Sequence, residues 1–258
     1  MTILFNEIVY GPVHSRRMGT SLGVNLLPYD GKLCSFDCIY CECGFNKDFR
    51  TKTKLPDREL VKAALEDRLK SLREEEAKLD VITFAGNGEP TLHPEFDKII
   101  DDSIALRNRY YPHTGISVLS NGMHLSKKTV FNALQKVDHP ILKLDSAFDE
   151  TVRIIDRPNT PTYGVARQVA RYKQFQGNFI LQTMFLKGTF EGKIIDNTTE
   201  EEIFAWLELI RELKPREVMI YTIDRETPAK GLQKASAEVL KKIAEQVEEL
   251  GIKTNVAL

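Results

Sequence analysis

Val81-Ile82-Thr83-Phe84-Ala85, followed by Gly86-Asn87-Gly88-Glu89-Pro90, reads as a buried strand ending in a polar, glycine-rich turn. Five residues rich in β-branched and aromatic types fit a strand, and too few to complete a helix. The stretch from Pro94 to about Asn108 is amphipathic and opens on proline, so it predicts a helix. Strand, polar word and helix make one unit of a parallel sheet, in which ligands gather at the carboxyl ends of the strands.

The same unit extends outward in both directions. Upstream, Ser21-Leu22-Gly23-Val24-Asn25-Leu26-Leu27 is a strand stopped by Pro28. A helix follows from about Pro56 to Leu79, with Asp57 in its first turn. Downstream come strand Ile116-Ser117-Val118-Leu119 with Ser120-Asn121-Gly122 at its end, helix Lys127 to Lys136, and strand Ile141-Leu142-Lys143-Leu144-Asp145. Then follow helix Tyr163 to Phe175 with strand Phe179 to Phe185, helix Glu200 to Leu213 with strand Glu217 to Ile223, and helix Ser236 to Leu250 before Ile252 to Val256. Six strand-helix units joined by right-handed crossovers predict an α/β fold, a partial (β/α)6 TIM-like barrel two units short of a closed one. Nothing in the pattern divides residues 1–258, so a single domain is expected.

Lys and Arg number 36 against 37 Asp and Glu, a formal net charge of -1. That balance gives no whole-protein attraction to nucleic acid or to an acidic membrane. No basic start or apolar core of a signal peptide opens the sequence, and no apolar run reaches the ~20 residues of a membrane helix. A cytoplasmic location is expected.

All four cysteines fall between Cys34 and Cys43, in a loop spanning about 29–46. Cys34-x-x-x-Cys38-x-x-Cys41 brings three soft ligands to one point, which suits zinc or an iron-sulfur cluster. A structural zinc site would need further ligands, and His14, His93, His113, His124 and His139 are scattered singly. Cys43, two residues after Cys41, would strain the loop to reach the same centre and reads as a spare thiol. A fully cysteine-ligated electron-transfer module and a zinc-stabilised RNA-binding protein remain open on this reading.

Cys34-Ser35-Phe36-Asp37-Cys38-Ile39-Tyr40-Cys41 resembles the signature of the radical S-adenosylmethionine (radical SAM) superfamily. The resemblance runs along nearly the whole chain through Gly86-Asn87-Gly88-Glu89-Pro90, Ser120-Asn121-Gly122 and Lys143-Leu144-Asp145. Gly11-Pro12-Val13-His14-Ser15-Arg16-Arg17-Met18-Gly19 and Cys41-Glu42-Cys43-Gly44 look like a branch related to the wyosine-forming tRNA enzymes, without the second cysteine set of those enzymes.

The resemblance implies a radical SAM enzyme of oxidoreductase or lyase type. Cys34, Cys38 and Cys41 would ligate a [4Fe-4S] cluster, and reductive cleavage of S-adenosylmethionine would give a 5′-deoxyadenosyl radical that abstracts hydrogen from a substrate. It further implies that Gly86, Asn87, Gly88 and Glu89 receive the amino group of the cofactor and that Ser120 and Asn121 contact its carboxylate or ribose. Lys143 would face the carboxylate, Asp145 and Gln182 the ribose, and Tyr221 and Tyr40 the adenine. A low-potential donor such as flavodoxin or ferredoxin is the expected partner. From the residues alone, Glu89 also reads as a turn cap, Ser120-Asn121-Gly122 as a plain turn and Lys143 with Asp145 as a buried ion pair. His14-Ser15-Arg16-Arg17 and Asp156-Arg157-Pro158 are cationic words suited to an anionic substrate, whether nucleotide, RNA or acidic small molecule.

Overall fold

A computed structural model describes residues 3–15, 17–48 and 52–257. It resolves into two compact units, one built from 4–34 and 46–140, the other from 1–3, 35–45 and 141–258.

In the first unit, β1 (Val9–Ser15) runs antiparallel to β2 (Gly19–Val24), and β2, β3 (Val81–Phe84) and β4 (Gly115–Ser120) pair in parallel. Register puts Leu22, Ile82 and Ile116 in one row and Val24, Phe84 and Val118 in another, all fully buried. The opposite side is polar, with Ser21 and Thr83 hydroxyls 2.8 Å apart. The helices are α1 (Arg58–Glu74), α2 (Phe96–Tyr110) and α3 (Lys128–Lys136). Asp57 caps α1 by accepting the Leu60 amide at 2.8 Å, and Val61, Leu65, Leu69 and Leu72 bury one stripe. Each such leucine contributes about 2 kcal/mol as an upper figure.

In the second unit, β5 (His139–Lys143), which starts just before it in sequence, pairs in parallel with β6 (Ile180–Met184). Between them lie α4 (Asp149–Ile155) and α5 (Val165–Tyr172). β7 (Leu186–Phe190) and β8 (Lys193–Asp196) follow β6, then α6 (Glu200–Leu213), β9 (Glu217–Tyr221), β10 (Leu232–Lys234), α7 (Ala237–Glu248) and β11 (Lys253–Ala257). β6 pairs with β9 and β9 with β11, all parallel, while β10-β7-β8 is a separate antiparallel sheet. The only tryptophan in the sequence, Trp206 on α6, is buried edge-on to Phe185 and donates its indole N–H to Thr183 Oγ1 at 3.2 Å.

The six strand-helix units expected from the sequence are present among the described residues. β11 is a seventh parallel strand, matching the apolar run at 252–256. Four strands and one helix come as additions: β1, the β10-β7-β8 sheet and α4. β1 contains Gly11-Pro12, and proline is tolerated in a strand only where a ladder hydrogen bond is dispensable, as on an edge. Its Tyr10 ring lies over Gly23, where a Cβ would come within 2.0 Å of the ring.

Candidate functional site

The cysteine loop is anchored at its start by the turn after β3. Leu33 N donates to Asn87 O at 2.8 Å and Glu89 N to Leu33 O at 3.1 Å, so the residue before Cys34 lies as a short bridge on Gly88. Asn87 holds this turn from behind. Its fully buried side chain donates to Phe5 O and Pro28 O, both at 2.8 Å, and accepts from Phe5 N at 2.9 Å. Its own N–H reaches Asn25 Oδ1 at 3.1 Å, and a Cβ on Gly86 would fall 2.4 Å from that oxygen. The two glycines therefore make room for Asn25 and for the backbone of Leu33.

Glu89 joins the ends of β3 and β4. Oε1 accepts from Thr91 N, Thr91 Oγ1 and Ser120 Oγ, and Oε2 accepts from Asn121 N at 2.7 Å. Burial raises its pKa, although these donors oppose the shift. Asn121 then donates from Nδ2 to Cys34 Sγ at 3.7 Å, and Asn46 donates to Cys34 O at 3.2 Å. Cys34, Glu89, Ser120 and Asn121 are thus brought together, and Glu89 has the loop-bridging geometry that its place before Pro90 suggests.

In the second unit, the rest of the loop lies on the end of α4. Asp37 N donates to Asp156 O at 3.0 Å, Ile39 N to Ile155 O at 2.9 Å, and Asn159 N to Ser35 O at 2.9 Å. Ile39 is buried among Ile155, Met184, Leu186, Ile195 and Ala229, and the buried Phe36 meets Tyr163 edge-on at 5.5 Å. The apolar letters Phe36 and Ile39 turn inward, whereas Cys34, Cys38, Cys41 and Cys43 are half-buried and in no disulfide.

Beneath this loop lies a charged cluster. Lys143 Nζ donates to Asp145 Oδ2 and Tyr40 OH, pairs with Asp156 Oδ1 at 2.9 Å, and sits 4.6 Å from the centre of the Tyr40 ring. Tyr40 OH also lies 2.5 Å from Asp145 Oδ2, and Asp145 Oδ1 accepts from Met184 N at 3.0 Å. The Lys143 side chain is 12% exposed and that of Asp145 fully buried. Burial disfavours the lysine charge, but Asp145 and Asp156 outweigh it and hold Lys143 well above its usual range. Burial, then the Asp145 carboxylate, push Asp156 up, with Lys143 opposing them.

The pair read from Lys143-Leu144-Asp145 is therefore a buried ion pair, closed by Asp156 and capped by Tyr40. Gln182 pairs in register with Lys143 and is buried. Tyr221 packs against the cluster around Ile39.

Asp156 is the site residue that sequence reasoning assigned elsewhere, to a cationic word. Its signal was its position at the end of α4, a helix of seven residues too short to stand out by periodicity. Arg157 stacks on Phe190 at 5.1 Å and Phe45 at 5.6 Å, and faces Glu191 at 3.4 Å. His14 is exposed on β1, and Arg16 lies outside the described residues.

The donor set fits an iron-sulfur cluster. Three thiols at the required spacing carry no disulfide, and one receives an amide N–H, the kind of contact that tunes cluster sulfur. Residues 30–230 match the model of the Radical SAM superfamily, to which the chain belongs. Members of this superfamily use a [4Fe-4S] cluster and S-adenosylmethionine.

Among curated relatives, the chain is 31% identical over 256 residues to the UPF0026 protein MJ1312 of Methanocaldococcus jannaschii, covering 97% of this chain and 74% of that protein. It is 31% identical over 243 residues to the GTPase Obg of Brachyspira hyodysenteriae, covering 92% of this chain but only 33% of that longer protein. A solved radical SAM methyltransferase from Sphaerobacter thermophilus superposes with a TM-score of 0.68 at 16% identity, over 92% of this chain and 65% of that one. That likeness gives the fold, the partial (β/α)6 barrel of the sequence reading. No described helix is long and apolar enough to cross a membrane.

Proposed function

We propose that this enzyme cleaves S-adenosylmethionine reductively at a [4Fe-4S] cluster held by Cys34, Cys38 and Cys41, and acts by hydrogen abstraction on an anionic substrate. The observation that carries the reading is the docking of the cysteine loop. Within the first unit Leu33, next to Cys34, is fixed on Gly88, and within the second Ser35, Asp37 and Ile39, around Cys38, are fixed along 155–159, so the backbone that carries the thiols is tied down in each unit. Cluster and cofactor, when bound, supply a 5′-deoxyadenosyl radical; the protein supplies position and dryness.

Asn121 orients the Cys34 sulfur. Tyr40, Lys143, Asp145 and Asp156 lock the segment between Cys38 and Cys41. Gln182 offers the ribose an amide, and Tyr221 offers the adenine a ring face. The turn Gly86 to Glu89 would receive the amino group through its backbone, and Ser120, whose hydroxyl bonds Glu89 Oε1 at 2.8 Å, would serve the carboxylate. An oxidoreductase-type reaction, a flavodoxin or ferredoxin as donor, and a reducing cytoplasm suit four cysteines that form no disulfide. The likeness of residues 11–19 and 41–44 to the wyosine branch keeps RNA among the anionic substrates to try, beside nucleotides and acidic small molecules.

The test is anaerobic reconstitution with iron and sulfide, reduction with dithionite, and chromatography for 5′-deoxyadenosine beside a Cys38→Ala variant. Product from the parent alone supports the reading. None from either, with an intact reduced cluster, turns it toward electron transfer.

A further inference from the structure

A cavity of the second unit lies on the flank formed by the start of α4, by β8 and by the start of α6. It measures about 550 Å³. Its apolar surface comes from Phe148, Ile154 and Ile194, and Ile194 is 85% exposed, an unusual state for a β-branched residue on a strand. Glu150 and Glu201 stand exposed on its walls, and among the described residues neither pairs with a cation.

The other carboxylates of the lining are already engaged. Asp149 accepts Val165 N at 2.6 Å, Asp196 takes Thr198 N and Oγ1, and Glu202 takes the hydroxyls of Ser146 and Thr151. No lysine or arginine lines the groove. With the whole chain near neutrality, this is a local acidic field around an apolar floor. β8 is also the end strand of its sheet, so its outer backbone groups are open to an added chain.

We propose that this groove docks an extended, basic segment of a partner protein. Lysines would reach Glu150 and Glu201, and an aliphatic side chain between them would cover Ile194. Charge complementarity selects this occupant, because an acidic or neutral peptide would leave both carboxylates unpaired. The four residues of β8 span about 13 Å, enough to seat such an alternation. The proposal is independent of the radical chemistry.

The test uses the full 258-residue chain and a fluorescein-labelled peptide, Ac-Lys-Val-Lys-Ile-Lys-Val-amide, followed by anisotropy. Saturable binding is expected, weakened at least tenfold by Ile194→Asp and by Glu201→Lys, and absent for the same peptide with Glu in place of Lys. Both substitutions lie at exposed positions, and an unchanged thermal midpoint confirms that each variant folds. No binding, or equal binding by parent and variants, would overturn the proposal. So would a dimer in sedimentation that Ile194→Asp dissolves and the peptide does not.

Discussion

The carbonyl oxygen of Leu33 lies where a side chain on Gly88 would begin, 1.9 Å from an ideal Cβ. Gly88 has a φ of +139°, so backbone shape and space both demand glycine. Leu33 precedes the first cysteine, and the bridge between Leu33 and Gly88 sets where Cys34 starts. Gly88→Ala should therefore displace the loop, cost about 1–3 kcal/mol as overpacking does, and lower iron uptake on reconstitution. Gly164→Ala, whose Cβ would meet nothing closer than 3.6 Å, is the control. Iron content and the urea midpoint of both variants check this; normal iron in Gly88→Ala would refute it.

Lys143 faces two buried carboxyl groups at once. Lys143→Met leaves Asp145 and Asp156 without a cation and should cost about 3–5 kcal/mol, as removal of one member of a buried ion pair does. Adding Asp145→Asn and Asp156→Asn should recover part of that loss, which a packing role for Lys143 alone would not produce. Tyr40→Phe should cost less, about 1.5–3 kcal/mol, because it removes one hydroxyl bonded to charged partners and keeps the ring beside the lysine. Denaturation of the three variants decides the matter.

Cys43 sits inside the tight turn in which Gly44 N reaches Cys41 O at 2.9 Å. Cys43→Ser should hold as much iron as the parent, whereas Cys41→Ser should lose most of it. Equal loss in both would make Cys43 a ligand and revise the cluster assignment.

The parallel strands and their helices could be read from sequence because each buried row repeats the same apolar chemistry at a fixed period. Leu22, Ile82 and Ile116 are one such row. The β10-β7-β8 sheet was hidden for the opposite reason. Leu186 to Phe190 alternates buried and exposed over only five residues, and Lys193 to Asp196 is too short for a pattern. In the site, residue types and spacing disclosed Cys34, Cys38, Cys41 and the Lys143-Asp145 pair. They could not disclose that the Asn87 side chain holds Phe5 and Pro28, or that Asp156 completes the charge cluster. Those are properties of contacts between residues 59 to 82 or 13 positions apart, and no local pattern encodes them.

Glu202 couples the start of α6 to the segment after β5, accepting from Ser146 Oγ at 2.6 Å and Thr151 Oγ1 at 2.5 Å. Burial raises its pKa, and the two hydroxyls offset only part of the shift. A carboxyl with a raised folded-state pKa stabilises the fold most when protonated in both states. Its contribution is thus present below the unfolded value near 4.5 and is lost as pH rises through the folded one. Glu202→Gln keeps an acceptor for one hydroxyl and supplies a donor for the other, since hydroxyls serve in either role. The difference in unfolding free energy between parent and Glu202→Gln should therefore move toward the variant between pH 4.5 and pH 8. Urea midpoints at both values measure it, and a pH-independent difference would show that Glu202 holds its place without the charge mattering.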